Sequence, residues 1–263
     1  MDLQLREKVV VVTAASRGLG YAVAQAVAAE GAKVALCARH EGPLVEAAER
    51  LRADYGVEVL PVVCDVADAE AAPRLAAMTV EQFGTIDALF INAGGPPPGK
   101  FLDFQPDDWQ AAMQLTIESA VRLAYAVVPV MRQAGGGSIL ANTSVSVRYP
   151  LDNLILSNSL RLAVVGMAKS MALELGRDNI RVNAIAPGWT RTERVEQLLA
   201  HRAQANGTTK EAEAAKIAAA IPLGRMATPE EFGRAAAFLL SPAASYITGI
   251  TMLVDGGMAR AVP

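Results

Sequence analysis

Short aliphatic runs alternate with longer stretches of helical period along the whole chain. "KVVVVTAA" precedes a helical pattern that runs through Ala29, "AKVALCA" one from Leu44 to about Ala53, and "VEVLPVVC" one that ends at Phe83. "IDALFINAG", "GSILANTS", "IRVNAIAPG" and "GITMLVDGG" complete seven such runs. A strand that reads as an unbroken apolar run is buried on both faces, as in parallel sheets covered by helices on either side. The alternation predicts one α/β domain over residues 1–263, a doubly wound, seven-stranded parallel sheet flanked by helices on both faces. In that arrangement ligands lie beyond the carboxyl ends of the strands, where the strand order reverses.

One region breaks the pattern. Residues 190–225 are rich in Ala, Glu, Gln and Lys and carry no strand signal. "TTKEAEAAKIAAAI" predicts an amphipathic helix capped by Thr208 or Thr209. An insertion at that edge of the sheet is expected to act as a substrate lid.

Composition removes several classes of function. The chain has 263 residues, 52% of them hydrophobic, enough for a large core. Its formal charge of −3 supplies no basic stripe, so no nucleic-acid partner is expected. The most apolar helical stretches are interrupted by Arg122, Arg161 and Lys169, so no membrane span is expected. The amino terminus "MDLQLREK" is charged and leads directly into a strand, without the pattern of a signal peptide. Cys37 and Cys64 each close an aliphatic run and read as buried spectator thiols, which fits a reducing cytoplasm. His40 and His201 stand alone, so no metal site is expected.

The chemistry collects in the loops that follow strands. After the first comes "TAASRGLG", where Ser16, Arg17, Gly18, Leu19 and Gly20 open a helix whose free backbone N–H groups can receive a pyrophosphate. Ala14 stands where a dinucleotide fingerprint often has its first glycine, and alanine is tolerable there if the turn keeps φ negative. "CDVAD", "NAGG" and "APGWTRT" follow the third, fourth and sixth strands. "NAGGPPPGK" continues the fourth loop with three prolines that should stiffen one wall of a pocket. The stretch "LILSNSLRLAVVGMAKSM", Leu154 to Met171, reads as a buried helix, yet it places Ser157 and Arg161 one turn apart on one face.

From "VVVVTAASRGLG" through "INAGG", "RVNAIAPG" and "ASYITGITMLVDGGM", nearly the whole chain resembles the short-chain dehydrogenase/reductase family, nearest to 3-oxoacyl-carrier-protein reductases. The resemblance implies a Rossmann-type fold, a nicotinamide dinucleotide and a small-molecule carbonyl or alcohol substrate. It implies that Asp65 accepts from the adenine amino group, that Val66 offers a backbone N–H, and that Asn92, Ala93 and Gly94 line the adenosine ribose and support the sheet. Pro187, Gly188, Thr190 and Thr192 would hold the nicotinamide end. Arg39 after the second strand, with Arg17 in the glycine loop, can fork onto a 2′-phosphate, which favours NADP over NAD. The family commonly forms tetramers through its two long helices, and the Ala- and Met-rich faces on Met113 to Met131 and Leu160 to Met171 suit a homotetramer.

The same resemblance exposes departures. Most members carry Tyr-x-x-x-Lys thirteen residues after a serine; here the serine is Ser144, and the pair reads Ser157 and Arg161. Thr116 stands where an asparagine is usual. A serine hydroxyl is shorter and far less acidic than a phenol, so Ser157 cannot simply inherit the proton-donor role. Arg161 can still bond the nicotinamide ribose and keep positive charge in the site, but it cannot shuttle a proton. Lys169 lies about 12 Å further along the helix, too far to replace the missing lysine. Two donors remain: Tyr149, on the loop after Ser144, or a water held by Ser144 and Ser157. The expected activity is an NADP(H)-dependent oxidoreductase. The rivals are a dinucleotide-binding protein without reductase activity, serving as sensor or partner subunit, and non-redox chemistry on the same scaffold.

Overall fold

In the computed structural model, which describes residues 1–260, seven parallel strands form one sheet in the order β3-β2-β1-β4-β5-β6-β7. The strands are β1 (Val9–Val12), β2 (Lys33–Ala38), β3 (Val59–Val63), β4 (Ala88–Ile91), β5 (Gly137–Asn142), β6 (Ile180–Pro187) and β7 (Thr251–Val254). All seven runs predicted as strands are strands. Pro61 sits inside β3, and β3 is an edge strand, where a missing backbone donor is tolerated.

Two helical layers cover the sheet. On one face lie α1 (Gly18–Ala29), α2 (Glu41–Tyr55) and α9 (Pro229–Leu240), whose Val23, Val27, Leu44, Leu51, Phe232 and Leu240 pack on Val10, Leu36 and Phe90 of the strands. On the other lie α3 (Ala71–Phe83), α5 (Ser119–Gln133) and α6 (Ile155–Leu175), packed on Val11, Leu89 and Ile139. The helix α4 (Pro106–Met113) runs into α5 through one π-helical stretch, Gln114–Glu118. Such a bulge in a helix often marks a functional position, and Thr116 lies on it. The helix α2 is longer at both ends than its apolar period predicted. Gly42 and Pro43 fit its first turn, where no backbone donor is required, and Gly56 ends it at φ 67°.

Residues 190–225 form α7 (Glu193–Asn206) and α8 (Lys210–Ala220), a small helical pair with its own core of Trp189, Leu199, Ile217, Ile221 and Met226. Thr209 is the α8 cap, its hydroxyl accepting from the Ala212 N–H at 3.2 Å. Thr208 instead donates to Glu213 at 2.7 Å, and Lys216 adds an ion pair at 2.8 Å. Together they hold the Glu213 carboxyl down at about 2. No helix among the described residues is long and apolar enough to cross a membrane.

Arg181 on β6 was not singled out by any sequence pattern, yet it closes the end of α9. Its guanidinium donates to the carbonyls of Leu239 (3.0 Å), Ser241 (2.9 Å) and Ile247 (3.2 Å) and to the Ser138 hydroxyl (3.0 Å). Burial lowers its pKa, and carbonyl dipoles take the place of an acid. Arg181→Met strands these acceptors in the interior. Urea denaturation is expected to show a loss of about 3 kcal/mol, and a change below about 0.5 kcal/mol would refute this assignment.

Candidate active site

The strand order reverses between β1 and β4, since β1 is flanked by β2 on one side and β4 on the other. The crevice opens there, between the loops after β1 and β4. The first turn places Ala14 at φ 48°, not at the negative φ expected for alanine. That left-handed conformation costs about 1 kcal/mol for a residue with a Cβ. It is enforced from both sides. The Ala15 N–H bonds the Cys37 carbonyl at 3.0 Å, and Gly20 packs so closely that a Cβ on it would stand 2.3 Å from the Ala14 carbonyl oxygen.

The helix α1 starts at Gly18 with no side-chain cap and no acidic residue in its first turn. Among the described residues α7, α8 and α9 each begin with a threonine cap and carry acids there. The helices α3 and α6 likewise start without a side-chain cap or a first-turn acid; what sets the α1 terminus apart is its place at the switch point, where free N–H groups and a positive dipole end can take an anion. Ser16 and Leu19 are half-buried beside it. Arg17 turns its guanidinium to Glu193 at the start of α7, 2.6 Å away, with both groups exposed. Arg39 is exposed just past β2 and, among the described residues, has no acid partner.

Asp65 spends one carboxylate oxygen on its own loop, accepting from the Ala67 N–H at 3.0 Å, while the Val66 N–H makes no hydrogen bond among the described residues. Cys37 and Cys64 are both buried, and the Cys37 thiol donates to the Cys64 carbonyl at 3.5 Å.

Asn92 is the hub. The Thr13 hydroxyl donates to its carbonyl at 2.7 Å and accepts from its N–H at 2.8 Å; its side chain gives an N–H to the Thr13 carbonyl at 3.2 Å and accepts one from Asn142 at 2.9 Å. Arg161 then donates to the Asn142 carbonyl at 3.2 Å. Asn142 was overlooked in the sequence, although a lone amide in the apolar run "GSILANTS" was a visible signal. Behind this chain Asn92, Thr116, Asn142 and Arg161 enclose a cavity of about 10 Å³, the size of one water molecule. The Thr116 hydroxyl and the Asn142 side-chain oxygen face the interior without a partner among the described residues. Burial brings the Arg161 guanidinium down to about 10, helped by the nearby charge of Arg194, and leaves it cationic at neutral pH.

Ser144 ends the β5 loop half-buried, its hydroxyl oxygen accepting from the Ser146 N–H at 3.1 Å. Ser157 is buried in the first turn of α6 and makes no side-chain hydrogen bond among the described residues. Asn158 clamps the preceding loop through the Leu151 carbonyl at 2.9 Å. On that loop the Tyr149 hydroxyl is buried without a partner, and burial together with the charge of Asp255 holds it above the ordinary tyrosine value. Lys169 points away from the site, to the Gly249 carbonyl at 3.1 Å.

Pro187 ends β6, and Gly188 lies so close to the chain that a Cβ would stand 2.8 Å from the Asp255 Cα. Thr190 is buried with its hydroxyl unpartnered, and Thr192 caps α7 through the Val195 N–H at 3.4 Å. The Thr192 methyl carbon lies 3.9 Å from where a Cβ on Gly18 would stand, which sets the start of α7 beside the glycine loop. Gly94 has open space around it, and Ala93 is half-buried. Arg194, also overlooked, crosses from α7 to the β4 loop and donates to the Pro96 carbonyl at 3.1 Å.

Comparisons with known proteins identify the family and the fold. Residues 13–259 match a family model described as enoyl-(acyl carrier protein) reductase. Dehydrogenase/reductase SDR family member 4 of Oryctolagus cuniculus is 35% identical over 254 residues, covering 96% of this chain and 94% of that protein. A 3alpha-hydroxysteroid dehydrogenase of Mediterraneibacter gnavus is 34% identical over 257 residues, covering 97% and 98%. The structure of L-sorbose reductase from Gluconobacter frateurii, complexed with NADPH and L-sorbose, superposes with a TM-score of 0.95 at 36% identity over the full length of both chains. With seven parallel strands in this order, an uncapped glycine-loop helix at the switch point and relatives matched along almost the whole chain, the protein belongs to the short-chain dehydrogenase/reductase family of oxidoreductases.

Proposed function

We propose that the chain works as one NADP(H)-dependent catalytic domain that interconverts a small carbonyl compound and its alcohol, with residues 190–225 as the substrate lid. The observation that carries this reading is the uncapped amino terminus of α1, set beside the Thr13–Asn92–Asn142–Arg161 network. The residues present fit a dinucleotide. The N–H groups of Gly18, Leu19 and Gly20 take the pyrophosphate, Asp65 and the Val66 N–H take the adenine, Asn92, Ala93 and Gly94 line the adenosine ribose, and Pro187, Gly188, Thr190 and Thr192 hold the nicotinamide end. Arg39 and Arg17 face the 2′-phosphate. Arg17 must give up Glu193 to do so, and an exposed ion pair of that kind contributes only about 0–1 kcal/mol.

When bound, the cofactor supplies the hydride that moves between its nicotinamide C4 and the carbonyl carbon. Arg161 bonds the neighbouring ribose hydroxyls. Its charge and the Ser144 O–H stabilise the negative oxygen that develops on the substrate. A water held by the Ser144 and Ser157 hydroxyls delivers the proton. Tyr149 is the other donor within the same loop, but burial and Asp255 make its phenol a weaker acid than an ordinary tyrosine.

We further propose a homotetramer formed through α5 and α6, on whose outer faces Tyr125, Leu162 and Leu173 are exposed. Of the methionines on these stretches, Met131 is buried in the core and Met113 is exposed.

Fluorescence titration with NADPH and NADH tests the cofactor. NADPH is expected to bind at least about tenfold more tightly, and Arg39→Ala to weaken NADPH by about tenfold to a hundredfold while leaving NADH unchanged. No binding of either dinucleotide would overturn the reading. The second reading, a dinucleotide-binding protein without reductase activity, is favoured by the absence of a phenol at position 157. Replacing both residues, Ser157→Tyr with Arg161→Lys, separates the two. A parent that already reduces carbonyls, accelerated by the double substitution, supports the reductase; a silent parent awakened by it supports the sensor.

A further inference from the structure

Two consecutive residues tie the start of α7 to both sides of the crevice. Glu193, the first residue of the helix, accepts from the Arg17 guanidinium of the glycine loop at 2.6 Å. Arg194, the next, donates to the Pro96 carbonyl of the β4 loop at 3.1 Å, and its guanidinium lies 3.7 Å from where a Cβ on Gly95 would stand. Thr192 caps the same turn, and its methyl carbon lies 3.9 Å from where a Cβ on Gly18 would stand. The loops after β1 and β4 are the two that border the crevice, so the first turn of α7 bridges its mouth.

Of the two arginines assigned to the 2′-phosphate, one is already neutralised within the chain. Arg39 has no acid partner among the described residues, whereas Arg17 has Glu193. Arg17 precedes α1 with an extended backbone, φ −163°, and does not cap that helix. Its side chain leaves the α1 terminus and runs across to α7. A guanidinium held by a carboxylate must release it before the same N–H groups can bond a phosphate. Both side chains are more than half exposed, 68% for Arg17 and 56% for Glu193, so the pair is weak enough for a stronger anion to displace the carboxylate.

We propose that Arg17 and Glu193 form a strap across the mouth of the crevice, and that a nucleotide 2′-phosphate opens it by taking Arg17 from Glu193. The inference rests on the NADP(H) reading for where the 2′-phosphate lies. In the empty protein Glu193 stands in for that phosphate. A phosphomonoester carries about 1.5 to 2 negative charges near neutral pH against one on the carboxylate, so the exchange favours the phosphate. A nucleotide without the group leaves Arg17 on Glu193. Glu193 therefore sets how strongly the 2′-phosphate is favoured, and it couples that choice to the freedom of α7. Arg194 keeps its bond to the β4 loop, so the helix stays attached on that side. The dinucleotide pyrophosphate is the other source of the same anionic chemistry, and the test separates the two.

The probes are adenosine 2′,5′-bisphosphate and 5′-AMP, which share the 5′-phosphate and differ in the 2′-phosphate. Calorimetric titration is paired with hydrogen exchange at the α7 amides of Val195 to Leu199. Glu193→Gln is expected to bind the bisphosphate about two- to fivefold more tightly than the parent, with 5′-AMP unchanged. In an Arg17→Gln background the same substitution should change neither affinity. Glu196→Gln, which removes the other first-turn acid of α7, should also change neither. In the parent the bisphosphate should speed α7 exchange at least about twofold and 5′-AMP should not. A merely structural ion pair would alter exchange in the variant without any such difference between the two nucleotides. Equal affinity of Glu193→Gln and the parent for the bisphosphate overturns the proposal. So does an equal response of α7 to both nucleotides, which assigns Arg17 to the pyrophosphate. Failure of the NADP(H) reading shows separately, as a parent that binds the bisphosphate no more tightly than 5′-AMP, and it takes the strap with it.

Discussion

The site depends on a short line of hydrogen bonds between buried and half-buried groups. Thr13 at the end of β1, Asn92 after β4 and Asn142 at the end of β5 satisfy one another, and Arg161 of α6 hangs from the Asn142 carbonyl. Buried polar groups are costly unless paired. The network therefore fixes the spacing of three strand ends and one helix together, and it does so at the point where the strand order reverses. Every loop assigned to the dinucleotide springs from that edge. Losing one amide would unpair its neighbours on two strands, so the network specifies geometry more than it adds stability.

The helical pair α7–α8 is tied to the same edge by weaker contacts. The start of α7 lies beside the glycine loop at Thr192, pairs with Arg17 through Glu193, and reaches the β4 loop through Arg194. All three contacts are exposed or half-buried and cheap to exchange. The helical pair behind them has its own apolar core and the Thr208–Glu213–Lys216 cluster, which hold it together as a unit. A tightly bonded network under a helical pair held by exposed contacts is the arrangement that the proposed lid role requires.

Much of this was legible in the chain itself. Seven apolar runs became seven strands because a sheet buried on both faces tolerates few polar side chains, and "TAASRGLG" marked the loop that opens α1 at the switch point. The failures have physical causes. Ala14 adopts a positive φ because the close approach of Gly20 and the Ala15 bond to Cys37 outweigh its Cβ penalty, and no local rule contains those contacts. Arg181 and Arg194 gave no signal because each acts through carbonyl groups far away in sequence. The departures at Thr116, Ser157 and Arg161 were readable as residue types, but only the fold shows Thr116 and Arg161 around one small cavity and Ser157 with its hydroxyl unpartnered.

The central claim is that hydride transfer survives here without a phenolic acid. Its most direct measurement is isotope transfer. NADPH deuterated on the transferred C4 position is incubated with the protein and a panel of carbonyl substrates, and the alcohols are analysed by mass spectrometry and NMR. The account predicts one deuterium on the carbinol carbon, with its hydroxyl proton drawn from solvent. NADPH bound tightly, with no deuterium in any product, would contradict it.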